Sequence, residues 1–324
     1  MARRRGRHRP EFRTSDPPLA GNPVRTWIRP PRPSSLPQER DQLEYSSLSL
    51  VFPNDGPRLL RAWGPPERPF VVGVASSGDR WSVAAWGTDA ATARAAVRAM
   101  FSLEHPIREF YRLVRREPIL RGTERRFAGL RIPRDASVYE SLLYAIIGQQ
   151  LSVPVARAIT KRLFARVGSY LTVNGATLPR VPTSAEVARL REPGLRAVGL
   201  SGAKSRAVVA LAERGTTDEF ATDVLARLPV EEAVEQLDRL PGVGRWTAEN
   251  ALLRGAGRPD VFVAGDLGLR VALDRFGVVP RSLPEERARA WGARNYPGWG
   301  SYATLYLWRR LVVDRPSPPR SGTD

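Results

Sequence analysis

The stretch LPGVGRWTAENALLRGAGRPDVFVAGDLGLR, residues 240–270, constrains this chain more than any other. Just upstream, VEEAVEQLDRL carries Val230, Ala233, Val234, Leu237 and Leu240 at helical spacing, with acids early and Pro229 at the expected first position. Pro241 stops that helix. Gly242 and Gly244 supply turn geometry that a side chain would forbid. TAENALLRG, from Thr247, reads as a second helix closed by Gly255. So tight a turn leaves backbone N–H groups unpaired where the second helix begins. Those amides form an anion site, and a glycine lets a phosphate come close. Carbonyls facing the other way, at Leu240 and Val243, are placed to hold a monovalent cation. For a bare Gly-x-Gly, an ordinary helical hairpin is the better reading. The rest of the string changes the balance.

After the hairpin, residues 260–263 read as a short extended piece, Ala264-Gly265 as a turn, and residues 267–276 as a helix. Asp266 stands at that helix's start, twenty-two residues past Gly244. Locally it fits an ordinary N-cap. Asp260 suits a structural role at the loop start, and Asp274 lies a full helix away from the turn.

Charge gives the class of partner. The net charge is +18, and every basic residue except Lys161 and Lys204 is arginine. A surplus this large in a soluble chain points to a polyanion. Residues 1–43 hold 10 Arg, 4 acids and 8 Pro, with Trp27-Ile28 as the one apolar cluster, and read as a disordered basic tail. The remainder is basic in its own right. The chain has no cysteine, which excludes disulfides, thiolate zinc and a cysteine-ligated iron–sulfur cluster. Its two histidines, His8 and His105, lie far apart in sequence. No apolar run reaches membrane-spanning length and no h-region follows the basic start, so a cytoplasmic, nucleoid-associated protein is expected.

The expected fold class is α+β. Residues 44–130 read as a small domain: strands at 48–52, 69–75 and 80–86, then a helix over 88–101 capped by Thr88. Residues 131–315 read as mainly helical, and 316–324 as a short disordered tail. DASVYESLLYAIIGQQLSVPVARAITKRLFARVG opens the helical part. Ser137 and Glu140 have the capping-box spacing, as do Thr183 and Glu186 further on. The first helix ends at Gly148, and Ser152 with Pro154 starts the next. Between them lies a polar loop, Gly148-Gln149-Gln150-Leu151. Lys204 and Arg206 lie near the start of a later helix, where a phosphate contact and a solvated face fit equally.

LPGVGRWTA followed by DVFVAGDLGLR, together with IIGQQLSV, resembles the helix-hairpin-helix DNA glycosylases, and most closely the DNA-3-methyladenine glycosylase II family. The likeness extends over residues 101–313. It implies a small antiparallel sheet domain followed by a helical glycosylase domain, acting as a monomer on duplex DNA with damaged bases and needing no catalytic cofactor. It implies that Asp266 is the catalytic acid and that Trp246 and Trp308 line the base pocket. Gln149, Gln150 and Leu151 would meet DNA, with Gln150 or Leu151 filling the gap left by the flipped nucleotide. Gly242, Gly244, Arg245 and Thr247 would grip the backbone. Two further pocket aromatics of the family fall at Asn250 and Leu267, and a second acid of some members falls at Gly265. The lysine of strand-cleaving members falls at Trp246, which implies a monofunctional enzyme. Three readings stand: an alkylpurine glycosylase, a same-fold glycosylase for another lesion such as oxidised guanine, and an inactive DNA binder. Asp266 argues against the last, since a binder needs the hairpin and the charge but no acid at that spacing.

Overall fold

The computed structural model describes residues 19, 21–44, 54–55, 58–64, 67–173, 176–282 and 284–314. Among these residues, β1 (Val24–Ile28), β2 (Asn54–Asp55), β3 (Arg58–Trp63), β4 (Phe70–Ser77) and β5 (Arg80–Trp86) form one antiparallel sheet in the order β1-β5-β4-β3-β2. α1 (Leu36–Glu44) follows β1, and α2 (Ala90–Met100) follows β5. The run FVVGVASS of β4 is apolar without alternation because both faces of the sheet are covered. One face packs Val72, Val74, Val83 and Ala85 against Ala93, Val97 and Met100 of α2. The other packs Val71, Ala84 and Trp86 against a second hairpin further along the chain, β6 (Tyr170–Val173) and β7 (Ala176–Pro179).

Part of the expected N-terminal tail is folded. β1 pairs along its whole length with β5, and Ile28 and Leu36 are 4% and 2% exposed. Trp27 is exposed, but the Arg80 guanidinium lies over its ring at 4.4 Å. An edge strand needs only a backbone partner and an occasional buried side chain, so a proline- and arginine-rich composition does not forbid one. The tails at 1–18 and 316–324 and the strand at 48–52 lie outside the described residues. The N-cap of α2 is Asp89, not Thr88: its carboxylate accepts the N–H groups of Ala91 and Thr92 at 2.7 and 2.8 Å.

The helical part begins with α3 (Ile107–Val114) and α4 (Thr123–Arg126), then α5 (Val138–Gly148) and α6 (Val153–Val167). After the β6–β7 hairpin come α7 (Ser184–Ala188), α8 (Arg191–Ala197), α9 (Gly202–Arg214) and α10 (Thr222–Arg227). α11 (Val230–Asp238) and α12 (Arg245–Ala251) form the predicted hairpin, followed by α13 (Leu267–Arg275), α14 (Glu285–Asn295) and α15 (Gly300–Val313). The α+β class is as expected.

α5 runs through the middle and is buried on nearly every residue. Ser137 caps it by accepting the Glu140 N–H, and Thr183 and Glu186 form the full capping box on α7. Glu140 itself does not close a box. Its carboxylate takes the Ala136 N–H at 2.7 Å, and both its oxygens accept from Nη2 of Arg61 on β3 at 2.6 Å. Arg61 and Glu140 are 1% and 2% exposed. This buried pair joins sheet to helices, and removing either partner would strand the other charge. The helix does not end at Gly255 as expected. It continues as a π-helical turn, Leu252–Ala256, and closes at Gly257 with φ +68°. Gly255 is glycine for packing: a Cβ there would lie 2.6 Å from Val138 Cα.

His105, in the connection before α3, pairs with the Tyr302 hydroxyl at 3.0 Å. Burial, then the nearby Arg134 and Arg131, push its pKa down to about 4. The folded state thus holds it neutral, while the unfolded chain protonates it near 6.5. Stability is full above pH 6.5 and falls as pH drops toward 4. Urea midpoints at pH 7 and pH 5 will show a loss of about 1–3 kcal/mol in the native protein, and His105→Gln will flatten it.

Candidate active site

The hairpin is built as its sequence reads. The Val243 N–H donates to the Leu240 carbonyl at 3.0 Å, closing a turn with Pro241 and Gly242 at its centre. Gly242 has φ +78°, which favours glycine, and a Cβ there would also strike Ala207 of α9 at 2.5 Å. Gly244, the N-cap of α12, is exposed, and a Cβ on it would meet nothing within 4 Å. The space in front of the first amides of α12 is therefore open.

Three side chains expected on DNA are occupied within the protein. Arg245 donates to Glu231 of α11 at 2.6 and 2.7 Å and to Glu249 at 3.0 Å, so it braces the two helices of the hairpin. Thr247 is 2% exposed, and its hydroxyl accepts the Gln149 side-chain amide at 2.9 Å. The same amide donates to the Gly242 carbonyl at 2.9 Å. Gln149 is therefore a strut between the α5–α6 loop and the hairpin. Lys204 pins the loop from the other side, its ammonium donating to the carbonyls of Ile147 and Gln149 at 2.9 and 2.6 Å. Partial burial lowers the Lys204 pKa. Gln150 is left exposed, with φ 55°, a conformation uncommon for a residue with a side chain. Leu151, Val153 and Val155 beside it are also exposed, at 37%, 42% and 46%.

Behind this loop lies a cavity of about 480 Å³ lined by Asp266, Trp246, Trp308, Asn250, Tyr144, Asp135 and Arg254. Trp246 reaches it from α12 and Trp308 from α15. Asp266 is the N-cap of α13: Oδ1 accepts the Leu269 N–H at 2.8 Å. The same oxygen accepts the Trp308 indole N–H at 2.8 Å, and Oδ2 accepts that of Trp246 at 3.2 Å. The N-cap and the site carboxylate are thus the same group. Asn250 donates to the Trp246 carbonyl at 2.9 Å, and Leu267 stands 63% exposed beside the acid. A Cβ at Gly265 would lie 2.7 Å from the Glu285 carboxylate, so a side chain there would force Glu285 aside. Sequence reasoning missed Arg254, Asp135 and Tyr144. Burial lowers the Arg254 pKa, opposed by Asp135 and then Asp266. It raises those of Asp135 and Tyr144. Asp135 Oδ2 accepts the Ser141 hydroxyl.

Residues 143–293 match the model of the HhH-GPD superfamily of base excision DNA repair proteins. DNA-3-methyladenine glycosylase 1 of Schizosaccharomyces pombe is 34% identical over 184 residues, 56% of this chain and 76% of that protein. This chain belongs to the HhH-GPD superfamily. Among its HhH-GPD relatives, the DNA-3-methyladenine glycosylase of Bacillus subtilis is 26% identical over 215 residues, 66% of this chain and 71% of that one. A Mycobacterium tuberculosis relative is 34% identical, but the match spans only 43% of its length. The solved 3-methyladenine DNA glycosylase of Archaeoglobus fulgidus superposes with a TM-score of 0.77 at 25% identity, over 89% of this chain and 98% of that chain. No described helix is long and apolar enough to cross a membrane.

The geometry makes Lys204 a structural clamp. Lys204→Met removes both donors to the loop carbonyls. Amide hydrogen exchange at Gln150 and Leu151 will speed up by about tenfold while the core of α5 stays protected.

Proposed function

We propose that this HhH-GPD protein is a monofunctional DNA glycosylase that flips a damaged, N-alkylated purine out of duplex DNA and hydrolyses its N-glycosidic bond. The observation that carries this is Asp266, a half-buried carboxylate held by two indole N–H groups at the wall of a base-sized cavity. The indole edges hold the acid, which leaves ring faces for a flat base. A purine alkylated at a ring nitrogen is cationic and leaves without protonation. Glycosidases for sugars need a second carboxylate to protonate the leaving group, and this substrate does not. Asp266 stabilises the oxocarbenium-like sugar as the bond breaks and orients the attacking water. The products are the free base and an abasic site.

Gln150 is assigned as the wedge that fills the vacated stack, flanked by Leu151. The amides at Gly242, Gly244 and beyond take a backbone phosphate. The Leu240 and Val243 carbonyls fit a structural monovalent cation, with Leu240 ligating through its second lone pair because Val243 N–H takes the first. Trp246 stands where a Schiff-base lysine would be. Lys204 is committed to the loop and Lys161 is on the surface. The protein acts as a monomer in the cytoplasm, at the nucleoid. A second reading, release of an oxidised guanine, is favoured only by Asn250, a polar residue lining the cavity.

Asp266→Asn tests the assignment cleanly because asparagine is also a good N-cap, so α13 keeps its start. Release of methylated purines from duplex DNA will fall by about 100-fold or more, while binding to abasic-site DNA stays within a few-fold. A wild-type protein that binds such DNA and releases no base would overturn the reading.

A further inference from the structure

The cavity contains a cation that the mechanism above does not use. Trp246, Asn250 and Arg254 follow one another at i, i+4 and i+8, and the π-helical turn at Leu252–Ala256 carries Arg254. Turns of that kind re-aim side chains and concentrate at functional sites. The Arg254 guanidinium lies 5.7 Å from the centre of the Trp308 ring. Its Nη1 is buried without a hydrogen-bond partner. Asp135, 4% exposed, lines the same cavity, and its Oδ1 is likewise unpartnered. A buried guanidinium costs desolvation energy unless it is paired, so its place beside the site requires a reason.

Charge accounting along the reaction supplies one. When the C1′–N bond breaks, both electrons leave with the base. Water oxygen then bonds to C1′, and the proton it sheds passes through Asp266 to solvent, or to the departed base where that base leaves as an anion. A cationic alkylpurine becomes neutral in this step. An uncharged purine becomes an anion until it is protonated. A fixed positive charge at the pocket wall lowers the energy of that developing anion. The same charge disfavours docking of a cationic base, because one cation on an aromatic ring weakens the attraction of its other face for a second.

We propose that Arg254 is an electrostatic residue for uncharged leaving groups, acting from beside Trp308 so that the pocket releases neutral purines as well as cationic ones, with Asp135 as the counter-charge that limits its effect. This rests on the glycosylase reading of the site. The test is single-turnover release of hypoxanthine, neutral, and 7-methylguanine, cationic, from otherwise identical duplexes. Arg254→Gln will lower hypoxanthine release by at least about tenfold relative to 7-methylguanine, and Arg254→Lys will restore most of the ratio. Asp135→Asn will move the ratio the opposite way, in favour of hypoxanthine. Equal losses on both substrates in Arg254→Gln, or a shift in the same direction in both variants, would make Arg254 purely structural. Wild-type release of 7-methylguanine alone overturns the inference and leaves the glycosylase reading intact. Release of neither base overturns both.

Discussion

The site depends on how one carboxylate is held. Asp266 accepts a backbone N–H from α13 and an indole N–H from each of α12 and α15. Three elements that are distant in sequence therefore converge on a single group. All three donors are N–H groups, and the carboxylate they hold lines the cavity. It also fixes both tryptophans by their edges, which sets the width of the space between carboxylate and cavity wall.

That geometry rests on close packing around α5. The π-helical turn can pass beside α5 only because Gly255 has no Cβ to meet Val138. The Arg61–Glu140 pair ties the start of the same helix to the sheet, with both charges out of water. The sheet domain is thus a support for the helix that leads into the α5–α6 loop.

Much of the helical part was legible in the sequence, for reasons that are local. Gly242 and Gly244 mark a turn, Ser137 and Thr183 mark helix starts, and Asp266 stands at a helix N-terminus that also turned out to hold the site acid. What was missed depends on tertiary partners. Gln149 reads as a DNA contact, and its role as a strut shows only when its amide is seen on Gly242 and Thr247. Arg254 reads as one more arginine in a basic chain, and only its place beside Trp308 distinguishes it. Arg245 looks like a phosphate ligand until Glu231 and Glu249 are found around it. The β6–β7 hairpin had a local signal that was passed over, an Asn-Gly pair between Val173 and Ala176. β1 also had one, the β-branched and aromatic run Val24-Arg25-Thr26-Trp27-Ile28, outweighed in the reading by the prolines and arginines around it.

The Gln149 strut has a consequence for how such a protein would read DNA. If Gln150 is the wedge and the hairpin holds a phosphate, the strut and the Lys204 clamp join the two as one rigid body. The probe then cannot be withdrawn while the backbone is held. Each grip on a strand would then also be a mechanical test of the base step beneath it, and a step that yields would be selected by its own weak stacking before any chemistry begins.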